Sequence, residues 1–237
     1  MKYQPLKKIT LFLGLIIVCQ HTIFSQSKKW SIGVGNAITA FDFTNSIGNK
    51  IDYLKNGAGN AYIMGYEQSL LDTNKFVGQS TPKAIYYLKH QQLAKFLTRI
   101  KLGVHAIFNQ YNAVGNIQNF DFDYQTNYAG LQFSLGPSIA MGKNWIIQPN
   151  AVISAQHILQ GNQRVNSSYI DLTNDSSFKG IKTFVGYEIS IEKQINNSLS
   201  FYLKGSNTQT MQTKEAGIAN LNFKSNCLQI GIKITGN

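Results

Sequence analysis

The sequence predicts an all-β chain: an up-and-down antiparallel transmembrane β-barrel of about eight strands, with ten as the alternative. Three observations carry this reading. Segments of strand length alternate apolar and polar residues with period two. The non-apolar face of these segments collects glycine, serine, alanine and charge, which suits a crowded lumen better than a wall facing water. No run approaches the roughly 18 consecutive apolar residues of a membrane-spanning helix. The stretch 128–159 shows the pattern most fully. Before a Gly-Lys-Asn break, Leu131, Phe133, Leu135, Pro137, Ile139 and Met141 share one parity against Gly130, Gln132, Ser134, Gly136, Ser138 and Ala140. After it, Trp145, Ile147, Pro149, Ala151, Ile153 and Ala155 oppose Gln148, Asn150, Ser154 and Gln156.

Residues 1–26 read as a secretory signal peptide and 27–237 as the barrel domain. Lys2, Lys7 and Lys8 form a basic start, Ile9 to Val18 an apolar core too short to span a bilayer, and Ile23 and Ser25 fit the positions before a cleavage site near Gln26. Val18 stands before Cys19 where a lipoprotein signal needs a small residue. Losing three lysines and no acid would lower the formal charge from +11 to +8. The basic residues are scattered and form no block, the pattern of solubilising charge rather than of a nucleic-acid surface. Cys227 is then alone, so no disulfide, metal knuckle or redox pair is expected.

The first strand runs from Lys28 to Asp42, with Trp30, Ile32, Val34, Ile38 and Ala40 outward and Ser31, Gly33, Gly35, Ala37 and Thr39 inward. A long polar loop is expected over 43–59. The second strand, 60–71, turns Tyr62, Met64 and Tyr66 outward and Gly65, Glu67 and Ser69 inward. Residues 72–94 hold either a short helix or two further strands. Strand 95–110 faces Phe96, Ile100, Leu102, Val104, Ala106 and Phe108 outward, with Lys95, Arg99, Lys101, Gly103, His105 and Asn109 inward. A second polar loop is expected over 111–127.

The hairpin 128–159 contains two prolines, which remove ladder donors. With a three-residue Gly-Lys-Asn loop, paired residue numbers sum to 286 and Pro137 faces Pro149, so both losses fall at one cross-strand pair. A third long loop is expected over 161–180. Ile181, Val185, Tyr187, Ile189 and Ile191 then point outward, with Lys182, Gly186, Glu188, Ser190 and Glu192 inward. After a short turn near 194–198, Leu199, Phe201 and Leu203 are outward and Ser200, Tyr202, Lys204 and Ser206 inward. A fourth loop is expected over 208–222. The closing strand, 223–234, sends Leu228, Ile230, Ile232 and Ile234 outward and Ser225, Cys227, Gln229 and Lys233 inward.

Long and short connections alternate, and an even strand number places both ends of the barrel on one side. This architecture resembles the small outer-membrane β-barrels of the OmpA and OmpX type, with short periplasmic turns and long outer loops. The resemblance covers roughly residues 28–235 and rests on no family motif. The segment 72–94 departs from it where a tight turn is expected, as does the ending Ile-Thr-Gly-Asn, where such barrels carry an aromatic residue. The resemblance implies a location in the cell outer membrane. Trp30 and Trp145 both begin outward-going strands and are the candidates for an aromatic girdle at the periplasmic rim.

An eight-stranded barrel is only wide enough for its own side chains. Inward charges must therefore pair or cost several kcal/mol each. Glu67, Arg99, Lys101, Lys182, Glu188, Glu192 and Lys204 are read as a lumen ion-pair network. With turn-paired numbers summing to 394, Lys204 lies diagonal to both Glu188 and Glu192. The expected function is non-enzymatic: a largely plugged barrel with a structural or surface-contact role, or a narrow porin-like pore opened when these pairs break. Two alternatives stand beside it. Outer-membrane lipid A deacylases resemble this size and fold class, but neither His105 nor His157 stands in a compact pairing with serine. A secreted lipocalin-like barrel would place the apolar face inside. No cofactor or metal is expected, because His90, His105, His157 and Cys227 show no ligand spacing. The expected partners are outer-membrane lipids, lipopolysaccharide among the candidates, and an external contact through the loops; nucleic acid is not.

Overall fold

The computed structural model describes residues 28–44, 50–51, 54–69, 100–117, 120–166, 168–211 and 220–236. Eight long strands form the barrel: β1 (Lys28–Thr44), β3 (Leu54–Ser69), β4 (Ile100–Ile117), β5 (Phe120–Pro137), β7 (Trp145–Val165), β9 (Ile181–Gln194), β10 (Leu199–Thr210) and β11 (Asn220–Gly236). Three short strands accompany them: β2 (Lys50–Ile51), β6 (Ile139–Ala140), which continues β5, and β8 (Ser168–Asp171). Each long strand pairs antiparallel with its chain neighbour, and β11 closes the ring onto β1 from Lys28↔Gly236 to Thr44↔Asn220. The ring holds eight strands, because Ser69 on β3 faces Lys101 on β4 directly. Segment 72–94 and the proposed signal, 1–26, lie outside the described residues.

The register fixes the barrel's shape. Stepping across the pairs from Trp30 leads through Tyr66, Val104, Phe133, Ile153, Val185, Gln209 and Lys224 to Ala40, ten residues further along β1. With a rise of about 3.3 Å per residue and strands about 4.8 Å apart, this offset tilts the strands by about 40°. The cylinder is narrow, and its interior must be filled by side chains.

Both predicted hairpin registers hold. Leu135↔Ala151 and Ile139↔Ile147 both sum to 286, so Pro137 lies opposite Pro149 at the one interruption between β5 and β6. Ser200↔Gln194 sums to 394. The expected long loops are corrected. β1 runs to Thr44 and β3 already starts at Leu54; β4 and β5 pair up to Ile117↔Phe120; β7 reaches Val165; and β10 and β11 take residues up to Thr210 and from Asn220. Alternation reports a contrast in burial, whereas pairing needs only backbone groups. Beyond the apolar belt the outer face is polar, the alternation fades, and the ladder continues unannounced.

The wall is apolar outside and polar inside. Trp30, Ile32, Met64, Leu131, Ile153, Ile189, Phe201 and Ile230 are 47–60% exposed, whereas inward Ser31, Gln148, Glu188 and Lys233 are at most 4% exposed. This is the reverse of what a soluble ligand-binding barrel requires, and a continuous apolar band of this kind is a hydrocarbon-facing surface. At the rim shared by the two ends of the barrel, Trp30 packs on Tyr66 at 5.9 Å, and Lys193 sits over Trp145 at 4.6 Å.

Candidate functional site

Among the described residues, the lumen is where buried charge concentrates. Neighbouring strands of the ring send inward residues to the same levels, so each level is built from distant parts of the chain. Near the Trp30 rim, Lys233 of β11 occupies the centre. Its Nζ lies 2.8 Å from Glu67 Oε2 and 3.3 Å from Glu192 Oε2, and donates to Gln148 Oε1 at 3.2 Å. Lys29 Nζ takes the other oxygen of Glu192 at 2.6 Å. Gln148 Nε2 donates back to Glu67 at 3.2 Å, and His105 Nε2 stands 3.9 Å from that carboxylate. Lys101 lies within electrostatic reach of Glu67 and Glu192.

One step further in, Lys204 Nζ is 3.3 Å from Glu188. Asn150 donates to the same carboxylate at 2.9 Å and Gln132 at 3.2 Å. Side-chain amides thus occupy the lone pairs that the lysines leave, as buried ion pairs require. Above this lies a chamber of about 30 Å³ lined by Asn109, Gln132, Ser154, Gln156 and Cys227. That volume suits one or two waters among polar walls.

Toward the outer end of the lumen lies a layer of aromatic side chains. Tyr111 stacks on Phe184 at 5.3 Å with an interplanar angle of 8°, and meets Tyr128 edge-on at 5.6 Å. Phe223 packs against Tyr111, Tyr128 and Phe41 at 5.4, 5.5 and 4.8 Å. The segment after β8 folds back over this layer and adds Leu172 and Phe178, both buried. It is pinned by Leu172 N donating to Gly161 O at 2.8 Å and Tyr128 Oη donating to Phe178 O at 2.9 Å. Tyr111 joins the two zones by donating its hydroxyl to Gln156 at 3.1 Å. At the turn outside the belt, the Thr173 N–H and hydroxyl both donate to Asp171 Oδ1 at 2.8 Å and hold its carboxyl below the usual range.

Of the residues predicted to share a network, Glu67 and Glu192 meet around Lys233 with Lys101 within electrostatic reach, and Glu188 and Lys204 meet beside them. Lys204 pairs with Glu188, while Glu192 goes to Lys233 and Lys29. Lys182 stands apart at the outer mouth, donating to Ser177 O at 2.7 Å. Arg99 lies outside the described residues. Sequence reasoning placed Lys233 and His105 on the inward face but left both out of the network, and it did not name Lys29. It also missed the aromatic layer, although parity carried the signal. Phe41, Tyr111, Tyr128, Phe184 and Phe223 all fall on the small or polar face of their strands. His157 is exposed on the outer wall, its Nδ1 2.7 Å from Ile158 O. Among the described residues no group of three His, Cys, Asp or Glu side chains is placed to hold a metal ion.

The closed ring, its apolar outer wall and its polar interior decide the class. The chain has the architecture of a small outer-membrane β-barrel. No family model matches the chain, and neither does any curated protein. Among solved structures, it is similar to a major outer membrane protein of Thermus thermophilus, at 8% identity and a TM-score of 0.44 over 88% of this chain and 99% of that one. It is also similar to Neisserial surface protein A, at 8% identity and a TM-score of 0.42 over 87% and 97% of the two chains. A third is Ail, the attachment invasion locus protein of Yersinia pestis, at 14% identity and a TM-score of 0.37 over 87% and 99%. Likenesses this distant carry no functional argument, and the architecture of the barrel rests on its own ring.

Proposed function

We propose that the protein is a non-enzymatic integral barrel of the outer membrane, exported by the signal at 1–26, whose lumen is a structural core and whose outward hairpins are its working surface. The observation that supports this is a lumen occupied by side chains at two levels. Ion pairs of 2.6–3.3 Å fill one level and packed rings fill another, with only a water-sized chamber between them. On this reading, side chains filling so narrow a cylinder at two levels block steady ion flow. Beyond the belt, β8 presents Tyr169 and Ile170 to solvent, and Tyr169 is 74% exposed, which suits contact with an external surface. Membrane lipids cover the rest of the wall.

Planar-bilayer recording on the refolded full chain tests the reading. The expected result is a bilayer without steady conductance steps while the barrel is present in its heat-modifiable form. Reproducible steps from the wild-type protein would overturn it and favour a narrow pore. That second reading has its own support, because the polar column from Lys29 to Cys227 ends only at the aromatic layer.

A further inference from the structure

We propose that the outer wall carries a site for one fatty acyl chain of a membrane amphiphile with an uncharged hydroxyl- or carbonyl-bearing headgroup, seated in a notch over Gly205. This inference rests on the membrane-spanning reading of the wall, but not on whether the lumen conducts.

Gly205 is unlike the other barrel-strand glycines. At Gly33, Gly65, Gly130, Gly136, Gly186 and Gly231 an added Cβ would overlap atoms of the neighbouring strands, so packing inside the barrel requires the missing side chain. At Gly205 an added Cβ meets nothing within 4 Å. It lies on the outward face, continuing the series Leu199, Phe201 and Leu203. Glycine weakens a strand interior, and one with no internal steric reason marks a place where something from outside approaches the backbone.

The surroundings show what fits. Gly205 pairs with Ile189 on one side and Leu228 on the other, and Leu228 pairs with Asn36. In the next row Asn207 pairs with Tyr187 and Asn226, and Asn226 pairs with Ile38. These outward residues line an open, shallow notch of about 590 Å³. Its floor and sides are apolar and its outer lip is carboxamide. Asn207 Nδ2 donates to Asn226 Oδ1 at 2.6 Å, which leaves the Asn226 amide donors and the Asn207 carbonyl for a ligand. No charged side chain lines the notch. Lys224, one outward row beyond Asn226, is engaged by Asp42. A phosphate therefore finds no free counter-charge in the notch, whereas an ester, amide or hydroxyl finds both a donor and an acceptor. The lip lies where the belt gives way to Asn36, Asn60 and Gln110, so the headgroup meets carboxamides at the edge of the hydrocarbon.

The test uses the full-length barrel in mild detergent, with native mass spectrometry after titration of 1-monomyristoylglycerol or 1-myristoyl lysophosphatidic acid. These probes share a chain and differ in headgroup charge. The expected result is one bound monoacylglycerol per barrel, at least five-fold tighter than the lysophosphatidic acid. Gly205→Leu, which fills the notch on a lipid-facing position, should weaken it at least ten-fold, and Asn226→Leu several-fold. Phe133→Leu on the far wall should leave it unchanged. Heat-modifiable mobility certifies each variant as folded. Equal binding by folded Gly205→Leu, equal binding of the two probes, or no stoichiometric lipid on the wild type would each overturn the site. A two-chain mass lost in Gly205→Leu would overturn it in favour of a second copy of the barrel. A soluble protein without heat-modifiable mobility would instead refute the membrane reading beneath it.

Discussion

Replacing Lys233 by methionine tests whether the lumen's ion pairs hold the barrel together. Methionine nearly matches the lysine stem in volume, so no large cavity opens and the effect isolates the charge. Lys233 is 2% exposed and touches Glu67, Glu192 and Gln148. Glu192 keeps Lys29 at 2.6 Å, but Glu67 is left with an amide from Gln148, with His105 at 3.9 Å and with Lys101 at longer range. Removing one partner of a buried pair costs about 3–5 kcal/mol, because the other charge stays buried. K233M should therefore lose about that much in urea unfolding from lipid vesicles, followed by gel mobility. Adding E67Q should restore about half of the loss, since the stranded charge is gone and a neutral amide still fits beside Gln148. Lys204→Met should cost less, because Glu188 keeps hydrogen bonds from both Asn150 and Gln132. A K233M barrel within about 1 kcal/mol of wild type, or no recovery in the double variant, would refute the reasoning that these contacts stabilise the lumen.

Three further outcomes follow from other parts of the molecule. Phe178→Ala should loosen the outer seal, read as at least ten-fold faster modification of Cys227 by a small methanethiosulfonate reagent added from outside; an unchanged rate would mean that Phe178 does not close the mouth. Gly130→Ala should block formation of the heat-modifiable barrel, because its Cβ would overlap the Ala155 carbonyl, whereas Gly205→Ala should be neutral or stabilising by about 0.5–1 kcal/mol. The Asp171 carboxyl is depressed in the folded turn, so the turn's stabilisation is present above 3.8 and is lost as pH falls through the lower folded value. The Thr173 amide should then lose protection in acid, measured as its exchange rate relative to the intrinsic rate at each pH, and Asp171→Asn, which keeps an acceptor at all pH values, should remove that acid dependence.

The local order of this chain was written in its sequence because a barrel wall has two contrasting environments and successive side chains point to opposite ones. Parity alone put Glu67, Lys101, Glu188, Glu192, Lys204 and Lys233 inside and Trp30 and Trp145 outside, and loop length alone set the two hairpin registers. Strand ends were not legible, since past the belt both faces are polar and the ladder needs no particular side chain. Partner choice was legible only across the short hairpin, where the register put Lys204 diagonal to Glu188. Elsewhere, which lysine meets which glutamate depends on strands 163 and 166 residues apart in sequence, as in Lys29–Glu192 and Lys233–Glu67, brought level by ring closure and tilt. The same closure gathered Phe41, Tyr111, Tyr128, Phe184 and Phe223, carried by five different strands, into one aromatic layer. Sequence determined the face of each residue through a period of two. Only the closed ring, with its ten-residue offset, decided the level at which those faces meet.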